Sequence, residues 1–298
     1  MHGSTDDAGR ISEICFQMHM TMKRGVGNMR QLGEADKEKI FEYIGKEPEL
    51  NLFLYGALER LGVDSAVNHV YVWEKEADWE CLVLQYYDDY CIYSQKETYP
   101  MQEVLAFLKQ RPVDCIRGKI AHVKPLHEFY PERILKENML CRLEKQKWEQ
   151  MTQEACAFSG MEQVEVKRLY GKDTADMMQV YLASSEFARN FRDPEKSEQR
   201  IKEELAAGEV AVGIYENGIP AAVARTNATS SQGALVVYVA VSPAYRRKRY
   251  GMGVVSALCQ EAFAEGREVL CLYYSSPVAG RIYKKIGFEE VGDYAMLR

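Results

Sequence analysis

The stretch VYVAVSPAYRRKRYGMG, residues 237–253, decides the fold of this chain. It starts inside an unbroken apolar run, residues 234–241, which is typical of a central strand covered on both faces. The run is followed by a turn marked by proline, then by four consecutive cations and two glycines. A helix is predicted from this point, at about residues 251–265. Helix N-termini present free N–H groups and the positive end of the helix dipole, and glycine lets a ligand approach the backbone closely. The stretch therefore predicts a strand, an anion-binding loop and a helix.

Three interpretations of this loop stay open on the residues alone. The simplest is a solvated run of charge before a helix. The second is a dinucleotide fingerprint, because Gly251, Gly253 and Ser256 imitate GxGxxG. That fingerprint belongs in a parallel βαβ unit, whereas the strands before this loop are predicted to form an antiparallel meander. The third is a site for the pyrophosphate of coenzyme A.

The second half of the chain around this stretch predicts the order βααβββαβαβ. Asn217-Gly218 is a strong hairpin turn between two strands, and Asp193 with Pro194 is a strong helix start. Ser276-Pro277 starts the last helix, which Gly287 ends. The predicted strands are residues 164–169, 210–215, 219–225, 234–241, 269–274 and 288–297, and the predicted helices are residues 174–184, 193–208, 251–265 and 277–286.

The first half predicts a similar but weaker pattern. A short strand (29–32), two helices (34–44 and 50–61), three antiparallel strands (70–73, 81–85 and 90–93) and a helix (101–109) follow one another. A polar, helix-prone stretch, residues 144–154, joins the halves. Residues 1–27 carry charges of both signs and no apolar run, so we expect a disordered extension or a tag-like segment there. The expected domains are residues 28–145 and 155–298, each an α+β unit.

Composition excludes several classes of protein. The net charge of −6 argues against a nucleic-acid binder, and no apolar run approaches the ~20 residues of a membrane span. The eight cysteines are scattered without a CxxC pair, so neither a zinc site nor a disulfide framework is expected, and the chain is expected to be cytoplasmic. All five histidines lie in the first half, so chemistry in the second half cannot use one of its own.

Two segments resemble the GNAT superfamily of N-acetyltransferases. Residues 241–246, VSPAYR, match the family's V-x-P-x-Y-R, and its R/Q-x-x-G-x-G/A signature falls on residues 246–251 with Arg249 in place of the first glycine. Residues 274–288, YSSPVAGRIYKKIGF, resemble the family's N-P-x-A-x-x-[LI]-Y-x-x-x-G-F, with Ser276 where asparagine is common. The resemblance covers about residues 163–298.

The ARTNATSS stretch and the CLYYSSPVAGRIYKKIGF ending look like bacterial two-domain GNAT proteins, in which a degenerate GNAT-like domain comes first. Residues 51–56, NLFLYG, resemble a segment of that first domain. The implied fold class is α+β, with tandem GNAT-like domains that each contain a mixed, mostly antiparallel twisted sheet flanked by helices. The segment after Tyr93 has neither glycines nor an arginine cluster, so no cofactor is expected in the first domain.

The resemblance implies direct transfer of an acetyl group from acetyl-CoA to a primary amine, without a metal. Tyr283 would be the general acid, with a core aromatic as the alternative. Glu186 is a candidate base, and Glu209, Tyr238, Tyr273 or a water chain stay open. A catalytically impaired CoA-binding regulatory module is the alternative function, and the acceptor and homodimerisation are left open. The implied cofactor-binding residues are Val239, Val241, Arg246, Arg247, Lys248, Arg249, Tyr250, Gly251, Met252, Gly253 and Ser276.

Overall fold

The computed structural model describes residues 29–154, 164–191 and 193–298, and within them twelve strands form one continuous sheet. Nine α-helices lie on its two faces. The predicted α+β class with a mixed, mostly antiparallel sheet is confirmed, since nine of the eleven neighbouring strand pairs are antiparallel. The predicted extension, residues 1–27, lies outside the described residues.

The first half contains six strands and five helices. The strands are β1 (Arg30–Gln31), β2 (Asn68–Lys75), β3 (Asp78–Tyr86), β4 (Asp89–Tyr93), β5 (Cys115–Gly118) and β6 (Leu135–Glu144). The helices are α1 (Lys37–Ile44), α2 (Leu52–Leu61), α3 (Met101–Leu108), α4 (Ile120–Val123) and α5 (Lys145–Glu154). The sequence predicted the elements through α3 and the helix-prone joining stretch that becomes α5. It did not predict β5, α4 or β6.

The second half follows the predicted order βααβββαβαβ. Its strands are β7 (Glu165–Leu169), β8 (Ala211–Glu216), β9 (Ile219–Ser230), β10 (Gly233–Val241), β11 (Val269–Tyr274) and β12 (Glu289–Leu297). Its helices are α6 (Thr174–Ala183), α7 (Pro194–Ala206), α8 (Tyr250–Ala264) and α9 (Pro277–Ile286). The Asp193 side chain caps α7 by accepting from the Lys196 N–H at 3.0 Å, as the sequence indicated.

The two halves share strands where they meet. The sheet order is β1-β2-β3-β4-β5-β12-β6-β11-β10-β9-β8-β7. Strand β6, from the first half, therefore lies between β11 and β12, and β12, the last strand, lies between β5 and β6. Each half thus contributes a strand that completes the hydrogen bonding of the other. The predicted boundaries, residues 28–145 and 155–298, stay a prediction about chain segments; the sheet itself is continuous across them.

A gap opens in the sheet between β10 and β11. These strands are parallel and pair only from Ala234 with Leu270 to Val236 with Leu272. Beyond Val236, β10 continues for five residues without a partner on that side, while on its other side it pairs with β9 through a bulge between Val237 and Ala240. Ligands of open sheets bind where neighbouring strands diverge at their carboxyl ends. This gap is therefore where the fold offers a ligand cleft.

The corresponding pair in the first half stays closed. Parallel strands β4 and β5 pair as far as Ile92 with Gly118. A Cβ built on Gly118 would lie 2.3 Å from the Ile92 carbonyl oxygen, so the two backbones are in direct contact there. Among its described residues, the first half therefore has no opening equivalent to the one between β10 and β11.

Helix α2 of the first half packs on the sheet of the second half, and Gly56 permits the close approach. A Cβ built on Gly56 would meet backbone atoms of Ala228, in β9, at 2.7–2.8 Å. Replacing helical glycine with alanine normally stabilises a helix by about 0.5–1 kcal/mol. Here the destabilisation by overpacking should exceed that gain, and we expect Gly56→Ala to lower the free energy of unfolding by about 1–3 kcal/mol.

Chemical denaturation of Gly56→Ala would check this, with Gly33→Ala as the matched control. A Cβ on Gly33 would have nothing within 4 Å, so that variant should be close to neutral. A Gly56→Ala protein as stable as the wild type would mean that α2 does not rest on β9 in this way.

Candidate active site

A cleft of about 540 Å³ opens at the gap between β10 and β11 and extends between the two halves of the chain. The second half supplies its walls from β9, β10, the end of β11, α7, α9, the turn after α6 and the end of the chain. The first half supplies residues of α2, β3, β4, β5 and β6. Four of the predicted cofactor-binding residues line it: Val239, Val241, Gly251 and Ser276.

The loop after β10 presents free backbone amides. Arg247 and Arg249 both have left-handed backbone conformations, each with φ of 64°, and Arg249 is the N-cap of α8. Among the described residues, the amides of residues 247–251 donate to no other backbone group. Left-handed φ costs a residue with a side chain about 1–2 kcal/mol. Arg249 therefore adopts the backbone conformation that glycine would adopt at this position of the GNAT signature. Having arginine here leaves the path of the loop unchanged, so the loop can still bind an anion.

The four cations of the loop divide into two groups. Lys248 donates to Glu216 at 2.8 and 3.0 Å, and the Tyr250 hydroxyl donates to the same carboxylate. These hydrogen bonds, from Lys248 first and Tyr250 second, lower the pKa of Glu216. Within the described part of the chain, Arg246, Arg247 and Arg249 form no ion pair. Three arginines thus remain for an anionic ligand, while Lys248 and Tyr250 are engaged in holding the loop to β8.

Three further predicted residues occupy different positions. Ser276 is the N-cap of α9 and makes no side-chain cap hydrogen bond, so its hydroxyl is not committed to the helix. Met252 packs, partly buried, against the core beneath α8, and Gly253 is buried within that helix. Neither Met252 nor Gly253 is part of the cleft wall. The structure therefore brings Ser276 to the cleft and places the other two behind it.

Tyr283 combines a packed ring with a hydroxyl at the cleft. Its ring lies 6.0 Å from the rings of both Tyr274 and Phe288, and the residue is 8% exposed. Its hydroxyl has no hydrogen-bond partner among the described residues and is not one of the fully buried polar atoms. Burial raises the pKa of Tyr283 strongly, and the charge of Glu186 raises it further. The phenol therefore keeps its proton at neutral pH.

Three of the four candidate bases line the cleft, and one does not. Glu186 is exposed on the turn after α6, lines the cleft and lies 3.8 Å from the Lys136 ammonium. Tyr238 and Tyr273 also line the cleft. The Glu209 carboxylate is buried and accepts hydrogen bonds from Thr226 and Thr229, at 2.7 to 3.0 Å. Glu209 thus holds β9 in shape, away from the cleft.

The bulge in β10 lies beside a cluster of aromatic rings. Tyr238 occupies the bulge with φ of 51°, and its ring lies within 6 Å of Tyr181, Phe187 and Phe191. Extra residues in a strand re-aim its side chains and backbone groups, and bulges are common beside active sites. The bulge changes the direction of the β10 backbone close to the point where β10 stops pairing with β11.

Sequence reasoning missed the contribution of the first half. The cleft wall includes Phe53, Arg60, Tyr86, Arg117 and Lys136, which belong to four different elements or turns of the first half. Buried Arg225, on β9, was also missed, although an arginine in an otherwise apolar strand, IPAAVAR, is the one signal the sequence gives for it. Which first-half residues reach the cleft depends on how β6 and β12 pair, and no local pattern encodes that pairing.

Two absences hold for the part of the chain that the structure describes. No group of three or more His, Cys, Asp or Glu side chains could hold a metal ion, and none of the described helices is long and apolar enough to cross a membrane. The six described cysteines are free and buried.

Comparison with known proteins matches part of the chain to a family model and most of the chain to solved structures. Residues 175–288 match the sequence model of the Acetyltransferase (GNAT) family. A Drosophila protein of solved structure superposes with a TM-score of 0.65 at 15% identity, covering 90% of this chain and 97% of that one. No protein in a curated set matches the sequence significantly.

Two other solved structures also superpose on most of the chain. A GCN5-related N-acetyltransferase-like protein from Streptococcus suis superposes with a TM-score of 0.59 at 14% identity, covering 89% of this chain and 99% of that one. A tandem GNAT protein from the clavulanic acid biosynthesis pathway gives a TM-score of 0.57 at 9% identity, covering 91% of this chain and 97% of that one. At these identities the likeness shows the fold alone, and it extends over both halves of the chain.

Proposed function

We propose that this chain, whose residues 175–288 match the Acetyltransferase (GNAT) family model, is an acyl-CoA-dependent N-acyltransferase that moves an acetyl group from acetyl-CoA to a primary amine. The observation that carries the proposal is the gap between β10 and β11. It leaves five residues of β10 without a partner on the β11 side and ends at a loop that, among the described residues, has five free amides and three arginines without an acidic partner. An extended, hydrogen-bonding ligand with a polyanionic end fits this arrangement.

The chain's own groups would bind acyl-CoA along this gap. Backbone groups of Val239 and Val241 would hydrogen-bond the pantetheine arm as a neighbouring strand would. The amides of residues 247–251, with Arg246, Arg247 and Arg249, would bind the pyrophosphate at the N-terminus of α8. A Cβ built on Gly251 would lie 3.7 Å from the Val241 side chain and 3.8 Å from the Ile282 side chain, so the glycine leaves this space to the cleft. The Ser276 hydroxyl would hydrogen-bond an amide of the arm.

Acyl-CoA supplies an activated thioester, and the chain supplies positioning and proton transfer. The bulge at Tyr238 would aim β10 amides at the thioester carbonyl, where negative charge develops as the amine nitrogen attacks. When the C–S bond breaks, Tyr283 would donate its proton to the departing thiolate. Glu186 would accept the proton that the amine loses, through water. Tyr283 would be regenerated from solvent as the products leave.

The alternative, a CoA-binding regulatory module, would rest on the two departures from the family signature. One of them is Arg249, which takes the left-handed backbone that glycine takes so readily. The other is Ser276, which still places a hydroxyl at the cleft. Both departures leave the functional group or the backbone path in place, so they favour the enzyme.

The proposed function is tested by release of free CoA from acetyl-CoA by the pure protein with a panel of primary amines, with the product identified by mass. We expect CoA and acetylated amine in equal amounts with at least one acceptor. CoA binding without release with any member of a broad panel would favour the regulatory module. The proposal includes action in the cytoplasm without a nucleic-acid partner or a metal, in keeping with the net charge of −6 and the unpaired cysteines.

A further inference from the structure

The cleft is basic even without the arginine loop. Six basic side chains line the cleft, against three acidic ones, Asp89, Glu186 and Glu204. The six are Arg60, Arg117, Lys136, Arg200, Arg225 and Arg298. None of them belongs to the loop after β10. The excess of positive charge is built from both halves of the chain, and it would attract an anion other than the pyrophosphate.

Arg225 is the buried member of this group, and half of its guanidinium is unused. The residue is 0% exposed, and its Nη1 donates to the Glu204 carboxylate. Its Nε and Nη2 groups have no hydrogen-bond partner among the described residues. These two groups form the side-on edge of the guanidinium, whose parallel N–H bonds match the two oxygens of a carboxylate. Buried donors are almost always paired, so an unused edge of this kind points to a ligand.

The surroundings of Arg225 strengthen this assignment. Its guanidinium lies over the Tyr238 ring, 4.8 Å from the ring centre. The neighbouring Tyr181 is fully buried, and its hydroxyl also has no partner among the described residues. Burial raises the pKa of Tyr181, and the Arg225 charge opposes that rise, which places the two side chains close together. The Nε and Nη2 groups of Arg225 at the cleft, and the Tyr181 hydroxyl behind the cleft lining, thus lack hydrogen-bond partners among the described residues.

Arg225, on β9, lies opposite a part of β10 where the acceptor, and not the phosphates, would bind. Arg225 pairs with Val237, one residue before the bulge at Tyr238. The arginine loop begins only after Val241, which is four residues farther along the strand, or about 13 Å at ~3.3 Å per residue. The amides that would face the thioester carbonyl lie between them. A group bound at Arg225 is therefore beyond the thioester, on the side from which an amine would approach.

The other basic residues of the cleft are less buried than Arg225. Arg117 donates to Asp89 and lies over the Phe53 ring at 4.5 Å, and its buried Nε has no partner among the described residues. The Arg60 side chain is exposed and bonds only the Tyr86 hydroxyl, at 3.4 Å, within the described part of the chain. Glu204 is shared, since Arg200 lies 4.0 Å from the carboxylate that holds Arg225. The acids present are already engaged, which leaves net positive charge for a ligand.

We infer that the acceptor of this enzyme carries a carboxylate in addition to its amine, and that Arg225, held in place by Glu204, binds this carboxylate through its Nε and Nη2 edge. Only the identification of the bound anion as the acceptor rests on the proposed function; the anion site itself does not depend on turnover. Arg60 and Arg117, from the first half, would add long-range attraction. The first half would thereby take part in acceptor selection, although it is expected to bind no acyl-CoA.

Matched pairs of acceptors test the inference. Each pair consists of an amino acid and the amine left when its carboxylate is removed: lysine and cadaverine, tyrosine and tyramine, β-alanine and ethylamine, γ-aminobutyrate and propylamine. With acetyl-CoA saturating, we expect the best acceptor to be a carboxylate-bearing one, with kcat/KM at least about tenfold above that of its partner. The difference should appear chiefly in KM. Equal rates within the best pair, or a preference for the decarboxylated amine, would overturn the inference.

Three variants locate the effect, and a fourth is the control. Arg225→Gln should bring the ratio within the best pair close to one, and Arg225→Lys, which keeps the charge but loses the planar edge, should retain only part of it. Arg60→Gln, at an exposed position where folding is not at risk, should reduce the ratio a few-fold. Lys285→Gln removes an exposed cation on α9 outside the cleft and should leave the ratio unchanged. The assignment would be contradicted if Arg225→Gln folds and the ratio within the best pair is unchanged both in that variant and in Arg60→Gln.

A binding measurement separates this inference from the proposed function. If no acceptor releases CoA, the proposed function fails, and thermal shifts with the same pairs decide the anion site alone. The amino acid of at least one pair should then raise the melting temperature of the wild type and not that of Arg225→Gln, while its amine raises neither. Shifts that do not differ between acid and amine, or between the two proteins, would overturn the anion site as well.

Discussion

Replacing Tyr283 with phenylalanine should lower kcat by about 10²–10⁴-fold, the usual contribution of a general acid. The ring would keep its contacts with Tyr274 and Phe288, so the core beneath α9 should stay packed. Only the oxygen at the cleft is lost, and that oxygen has no hydrogen-bond partner among the described residues, so little folding energy depends on it. Because the proton would be needed only as the C–S bond breaks, kcat and kcat/KM should fall together while the Kd for acetyl-CoA hardly changes.

Tyr274→Phe is the matched control for this experiment. Tyr274 lies next to Tyr283, but its hydroxyl is bonded to Glu290, and that bond is the leading cause of its raised pKa, about 12. Its removal should change kcat by no more than a few-fold. Normal turnover of Tyr283→Phe with a lowered melting temperature would return Tyr283 to a purely structural role and leave the acid unassigned.

The second large effect concerns the arginine loop. Arg246→Ala and Arg249→Ala should each weaken CoA binding by about tenfold, and together by about a hundredfold, because charge-assisted hydrogen bonds to phosphate contribute about 1.5–3 kcal/mol each. Both side chains are exposed, so solvent screening places each effect at the lower end of that range. Binding of pantetheine, which carries no phosphate, should be unaffected. Titration of both ligands by calorimetry gives the comparison.

Lys248→Ala supplies a control within the same loop. The Lys248 ammonium is held by Glu216, so it contributes less to a bound phosphate than its neighbours do, and we expect a smaller loss of CoA affinity. Equal losses for CoA and pantetheine in the arginine variants would mean that these residues shape the loop and do not contact phosphate.

Local signals explain why the second half could be predicted nearly element by element. The Asn217-Gly218 turn, the Asp193-Pro194 helix start and the apolar run of β10 each act on a few consecutive residues. Strands β5 and β6 carry no comparable signal. Strand β6 alternates only in part, and its partners β11 and β12 lie more than a hundred residues farther along the chain.

The candidate site divides in the same way. The anion-binding loop follows from the sequence pattern, whereas Ser276 and Tyr283 follow from the resemblance to the GNAT superfamily. The structure brings Val239, Val241, Gly251, Ser276 and Tyr283 to one cleft. Spacing could not separate Lys248 and Tyr250 from the arginines beside them, because their common partner, Glu216, lies on another strand. Nor could it indicate that Arg225 meets Glu204 or that α2 rests on β9, since both depend on long-range packing.

The central claim is that this chain has a single acyl-CoA site, in the gap between β10 and β11. Calorimetric titration of the full chain with acetyl-CoA measures it most directly, because the equivalent strands of the first half, β4 and β5, stay paired to Gly118. We predict one molecule bound per chain, with that binding weakened in the Arg246→Ala Arg249→Ala protein. Two molecules per chain, or one molecule whose binding is unchanged in that double variant, would contradict the account.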